Sequence, residues 1–149
     1  MTDEELRRQI IGVWTLASVN YEDAISKERT PIYGEHPKGT QIATPEGRWL
    51  ALTTAEGRPV PKTEAERARA LTTMIAYTGR YRVEAGNVIT KVEAAWNEGW
   101  IGTEQVRAIR FEGGRLCLQS PPMPHPNIDG KTVRVIVVWE REESLLIQT

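Results

Sequence analysis

The stretch Trp96–Phe111, W-N-E-G-W-I-G-T-E-Q-V-R-A-I-R-F, decides the fold. It opens with a turn-rich segment and continues as a strand of period two. Thr103, Gln105, Arg107, Ile109 and Phe111 fall on one side of that strand, and Glu104, Val106, Ala108, Arg110 and Glu112 on the other. The second side carries most of the charge and is predicted to face water, which turns Gln105 and Arg107 inward. An inward arginine in a small β-rich domain is costly unless something accepts its hydrogen bonds. The pattern points to the inside of a container.

Outward from this strand, the chain repeats the same grammar. Thr2 and Glu5 form a capping-box pair that predicts a short helix over Asp3–Ile10. Ile11–Asn20 reads as the first strand, with Trp14, Leu16 and Ser18 sharing an inward face. A meander follows: a strand ending at Ile32 and Tyr33, then Thr40–Thr44, the turn T-P-E-G, and Arg48–Thr53. Thr63 and Glu66 open a second helix from Glu64 to Ala76, with Ala65, Ala68, Leu71, Met74 and Ile75 at helical spacing and Gly79 as its stop. Strands return at Arg80–Glu84, Val88–Trp96, Arg115–Gln119 and Val133–Trp139. The proline-rich Pro121–Gly130 is predicted to be a loop across one end of the sheet. Roughly eight or nine short strands at hairpin spacing, without a βαβ rhythm, predict an all-β, up-and-down antiparallel barrel. One short helix precedes it and another stands beside its mouth. Residues 1–149 are expected to form one domain, large enough to bury roughly two thirds of its unfolded surface.

A net charge of −1, from 19 basic and 20 acidic side chains, gives no long-range field for nucleic acid or an anionic membrane. The single cysteine, Cys117, excludes an internal disulfide and fits a reducing compartment. A charged N-terminus without a signal-like apolar core, and no apolar run of membrane-spanning length, lead to the expectation of a cytoplasmic protein.

Five pieces of the chain match a known family in order: G-V-W-T-L-A-S-V (Gly12–Val19), Y-G-E-H-P-K-G-T-Q-I-A-T-P-E-G (Tyr33–Gly47), A-Y-T-G-R-Y (Ala76–Tyr81), W-I-G-T-E-Q-V-R (Trp100–Arg107) and V-V-W-E-R (Val137–Arg141). The chain resembles the bacterial lipocalin-like domain family, small intracellular counterparts in shape of the secreted lipocalins. The resemblance implies a ligand-binding barrel, and similar barrels in natural-product pathways act as cyclases or isomerases. Where many relatives carry a tyrosine before the T-P-x-G turn, this chain has Ala43. Gly12-x-Trp14 is similar to the lipocalin G-x-W signature, whose indole plugs the closed end against an arginine of the last strand; Arg141 is the matching residue. That set is expected to be structural.

For chemistry, strand parity turns Ser18, Asn20, Tyr81, Thr90, Trp96, Gln105 and Arg107 inward among apolar residues, with Tyr33 and Tyr77 at the mouth. An apolar wall with a few convergent polar groups is the composition of a small-molecule pocket. The expected ligand is small, largely apolar, and carries a carboxylate, enol or carbonyl oxygen facing Arg107 and Gln105. One alternative is a cofactor-free isomerase or cyclase acting on a small hydrophobic, polyketide- or terpenoid-like substrate. Arg107 and Tyr81 would stabilise an oxyanion there, while His36 or another mouth residue moves a proton. A second alternative is a filled barrel acting as an interaction module, whose exposed Pro121–Gly130 loop meets a partner. The chain is expected to be a monomer or homodimer. His36 and His125 supply no zinc spacing, so neither metal nor cofactor is expected. G-E-H-P-K-G-T lacks the ending and the following helix of a phosphate loop. Glu93 and Glu104 lie among other charges and are expected to face solvent.

Overall fold

The computed structural model describes residues 1–124 and 131–142. Helix α1 (Asp3–Ile10) carries the expected capping box: Glu5 N–H donates to Thr2 Oγ1 at 3.1 Å, and Thr2 N–H to Glu5 Oε2 at 2.9 Å. Its buried stripe is Leu6 and Ile10, one turn apart, so the helix lays a narrow apolar edge on the barrel. The strands that follow are β1 (Gly12–Asp23), β2 (Arg29–Pro31), β3 (Lys38–Ala43), β4 (Arg48–Thr54), and, after helix α2 (Glu64–Thr72), β5 (Met74–Glu84). Then come β6 (Asn87–Ala95), a 3-10 turn at Glu98–Trp100, β7 (Glu104–Glu112), β8 (Arg115–Gln119), the short β9 (Met123–Pro124) and β10 (Thr132–Arg141).

Each long strand pairs antiparallel with the next, and β10 returns to β1, closing an eight-stranded barrel of β1, β3 to β8 and β10. β2 and β9 are short additions at the open end, on Asn20–Glu22 of β1 and on Thr132 and Val133 of β10. Closure removes the two sheet edges that an open meander would expose. At the closed end lie α1 and the β3–β4, β5–β6 and β7–β8 turns; at the other lie α2, the 3-10 turn and the segment before β3. Among the described residues no helix is long and apolar enough to cross a membrane.

Several expectations from the sequence need correcting. The second helix stops at Thr72, not Ala76. Met74, Ile75 and Ala76 instead pair with Thr54, Thr53 and Leu52 of β4. Sheet pairing outweighs the helical spacing of those residues. Gly79, taken as a helix stop, sits inside β5 at a bulge against β6. A Cβ there would lie 1.9 Å from the Lys91 carbonyl oxygen, so only glycine permits the approach. Ser18 and Asn20 do not face inward. A bulge between Leu16 and Ser18 shifts the parity of β1, so Trp14 and Leu16 face in before it and Val19 and Tyr21 after it. Ser18 and Asn20 then stand opposite Val138 and Ile136, on the outer side of β10. The strand ending at Ile32 and Tyr33 likewise ends earlier, at Pro31.

Of the Pro121–Gly130 loop, residues 125–130, including His125, lie outside the described residues; Met123 and Pro124 form β9 rather than loop.

The lower half of the barrel is filled. Trp14, Trp49, Tyr81, Val88 and Leu116 are buried there together with Leu6 and Ile10 of α1. The space that matters for chemistry is above them.

Candidate functional site

The floor is built first. Gly12 has φ +135°, in the region that favours glycine, and a Cβ on it would come within 2.8 Å of Arg141 Nη1. The bare backbone lets the Arg141 guanidinium lie 4.2 Å above the Trp14 ring and donate to the carbonyls of Ile11 and Gln9 at 2.9 and 2.5 Å. Trp14 Nε1 donates to Ile10 O at 2.9 Å. This arrangement satisfies the C-terminal carbonyls of α1 and the one polar atom of a buried indole. Gly12, Trp14 and Arg141 thus seal the barrel with their own polar groups saturated.

Above this floor two connected cavities run to the open end. The inner chamber, about 60 Å³, is lined on its polar side by Gln41, Thr53, Tyr77, Arg107 and Trp139. The outer one, about 380 Å³, is the mouth, walled by Tyr21, Tyr33, Leu71, Met74, Trp96 and Asn97 among others. Val19, Ile75, Trp100 and Val135 border both. The chamber exists because of one small residue. In the register row Trp14–Gln41–Ala51–Tyr77, Ala51 places only a methyl group between two long side chains.

Arg107 faces the chamber. Its Nη1 donates to Val106 O at 2.8 Å and its Nη2 to Gln105 Oε1 at 3.3 Å; no acidic side chain pairs with it among the described residues. Burial pulls its guanidinium below the ordinary arginine range, with Tyr77 acting in the opposite direction. Burial also pushes the Tyr77 hydroxyl up, against the pull of Arg107 and of the hydrogen bond from Trp49 Nε1 at 3.2 Å. Tyr33 at the mouth is raised to about 12, again by burial first. Neutral phenols and a guanidinium short of acceptors make this region rich in hydrogen-bond donors. Its rings also meet at steep angles: Tyr77 lies 5.2 Å from Trp100 at 56°, and Trp100 lies 4.7 Å from Trp96 at 69°.

Two lining residues carry polar atoms with no partner among the described residues. Gln41 is fully buried, yet neither Oε1 nor Nε2 is hydrogen-bonded, and Trp139 Nε1 is in the same condition. Leaving such a group unpaired in the interior costs about 1–3 kcal/mol.

Of the residues predicted from sequence, Tyr33, Tyr77, Trp96 and Arg107 come together around this space. Gln105 is next to it but turns its amide to Thr103 and Arg107. Tyr81 is inward but at the closed end, donating to Thr44 O at 2.6 Å under Arg7, and Thr90 is buried beside it in register. His36 is exposed on the loop before β3, its backbone N–H bound to Glu56, and lines neither cavity. Gln41, Ala51, Thr53, Trp100 and Trp139 were not predicted as site residues. Glu93 and Glu104 are partly exposed and paired with arginines, Glu93 with Arg48 and Arg80 and Glu104 with Arg82, as expected of outer-wall charges. Among the described residues no group of three or more His, Cys, Asp or Glu is placed to hold a metal.

A closed barrel with a sealed floor, an apolar inner wall and an open mouth defines a class of protein whose fold suits small hydrophobic ligands. The lipocalin-like domain family matches residues 11–142, and the chain belongs to that family. No curated protein matches the chain.

Proposed function

We propose that this barrel binds a small, largely apolar molecule carrying a polar oxygen function, with Arg107 as its anchor. The observation that carries this is a half-buried guanidinium facing a cavity, whose acceptors among the described residues are one backbone carbonyl and one amide oxygen. Arginine stays ionised and has five N–H groups to place, so a ligand oxygen is the natural complement. The apolar walls and aromatic rings of the mouth would take the rest of the molecule. A filled interaction module accords poorly with a 380 Å³ mouth. The isomerase or cyclase alternative finds oxyanion donors in this lining, but neither His36 nor any carboxylate lines the two cavities.

Native mass spectrometry of the freshly purified chain should detect a co-purified apolar molecule. For a ligand with an anionic or carbonyl oxygen, Arg107→Met should lower affinity by about 1.5–3 kcal/mol in calorimetry while the fold is retained. Equal binding by the mutant would remove Arg107 from the role.

A further inference from the structure

The unpaired Gln41 amide and Trp139 indole define what the inner chamber is shaped to accept. Both line the cavity that holds Arg107 and Tyr77, and both are closed off from bulk water. Their donors and acceptors can be counted by type. Gln41 Nε2, Trp139 Nε1 and the remaining N–H groups of Arg107 donate. Tyr77 Oη accepts from Trp49, which leaves its own proton to donate. On the acceptor side stand Gln41 Oε1 and the Thr53 hydroxyl. A lining so weighted toward donors fits a group that is mostly acceptor and has at most one proton to give.

The size limits the group further. At about 60 Å³ against about 380 Å³ for the mouth, the inner chamber suits the compact polar end of a ligand rather than its tail. The carboxamide of Gln41 presents a donor and an acceptor side by side. That edge is complementary to an HO–C=O unit, whose carbonyl accepts from Nε2–H while its hydroxyl donates to Oε1. Trp139 Nε1–H can fill a second lone pair of the same head. The apolar remainder would pass Val19, Ile75, Trp100 and Val135 into the mouth.

We propose that Gln41 and Trp139, with Arg107 and Tyr77, form a head-group subsite for a planar acidic oxygen pair, as in a carboxylic acid or the enol of a diketone, with the apolar tail held in the mouth. This rests on the apolar-ligand function proposed above and assigns the polar end of that ligand its chemistry and its place.

The test is calorimetry on the full chain with four probes: decanoic acid, the enolic diketone benzoylacetone (whose diketone end bears only a methyl group), methyl decanoate and decanol. The acid or the enol should bind at least about tenfold tighter than the ester and the alcohol, and whichever leads identifies the head. Gln41→Leu should lower acid or enol affinity by at least about fivefold and narrow the gap to the ester, leaving the share owed to Arg107. It should also raise the melting temperature by about 2–4 °C, because an amide without partners is removed from the interior. A binding residue that destabilises the empty protein gives this paired signature, whereas a purely structural glutamine would not. If Gln41→Leu fails to fold, Gln41→Glu keeps the shape but replaces the Nε2 donor with an acceptor oxygen, so acid or enol affinity should fall. Equal binding of all four probes by the wild type, or undiminished acid and enol binding by the Gln41 variants, would overturn the subsite and leave the apolar pocket standing. Binding of none would overturn the pocket as well.

Discussion

At the closed end, charged and aromatic side chains are tied to the chain's own backbone; around the inner chamber, polar atoms of Gln41 and Trp139 have no partner among the described residues. Asp3 accepts from the N–H groups of Ala85 and Gly86 at 2.9 Å each, clamping the β5–β6 turn to α1. Arg7 donates to Pro45 O at 2.9 Å on the β3–β4 turn, and Arg141 ties the last strand to the end of α1. Three distant segments are thereby fixed to one short helix. Gln41, Trp139 and Arg107, by contrast, all line the inner chamber and keep hydrogen-bonding capacity unused among the described residues. A group satisfied in the folded protein stabilises it, while one left waiting lowers stability and becomes useful only when something binds. The two regions therefore divide folding and recognition between them.

Substitutions can break that division, and the largest effect belongs to the floor. Trp14→Ala should cost about 3–5 kcal/mol, since it empties a fully buried indole site and strands Arg141 above a void. A thermal melt of the purified mutant decides it, and an unchanged midpoint would dissolve the contrast. Asp3→Ala comes next. It removes two charge-assisted hydrogen bonds that hold a turn more than eighty positions away, and should cost about 1.5–3 kcal/mol in denaturant titration. Ligand affinity should not change. Ala51→Leu inverts the pattern: the extra methyl groups would occupy the inner chamber, so binding should fall at least about tenfold while stability moves by no more than about 1–3 kcal/mol. A mutant that binds normally would show that the ligand never reaches below the mouth.

The barrel itself was legible because closure needs only alternation and turns, and both survive in the chain from Gly12 to Arg141. The inward side of Arg107 was legible too, since charges crowd the opposite face of β7. What failed has local physical causes. Parity carries only until a bulge, and the bulge after Leu16 has no sequence mark, so Ser18 and Asn20 exchanged sides with Val19 and Tyr21. In β3 and β4 the side was ambiguous. The segment W-L-A-L-T invites Leu50 and Leu52 inward, yet they are 43% and 42% exposed, while Trp49, Ala51 and Thr53 face in. With the leucines outside, only Ala51 and Thr53 of β4 line the chamber, and the same inversion hid Gln41 behind the more apolar Ile42. Trp139 was assigned only to a strand, because nothing in V-V-W-E-R says that its indole nitrogen ends without a partner.

The smallest effect concerns α2, and it sharpens the comparison most finely. The helix has no buried residue, in contrast to α1, whose Leu6 and Ile10 are packed into the core. Its last turn is held: Arg58 donates to Ala70 O at 2.8 Å and Thr73 Oγ1 at 3.1 Å, and Trp96 Nε1 donates to Leu71 O at 3.1 Å. Its first turn rests on the capping box of Thr63 and Glu66 alone among these contacts. The helix should therefore fray from its N-terminus while its C-terminal end stays over the mouth, where Leu71 and Thr72 line the outer cavity. Thr63→Ala removes the cap, worth about 1 kcal/mol of local stability, or about a fivefold increase in amide exchange. Hydrogen exchange should show that acceleration in α2 and none in β10, with the global melting temperature unchanged within error. Cooperative loss across both elements would mean that α2 belongs to the same folding unit as the floor, and the two ends would no longer be energetically distinct.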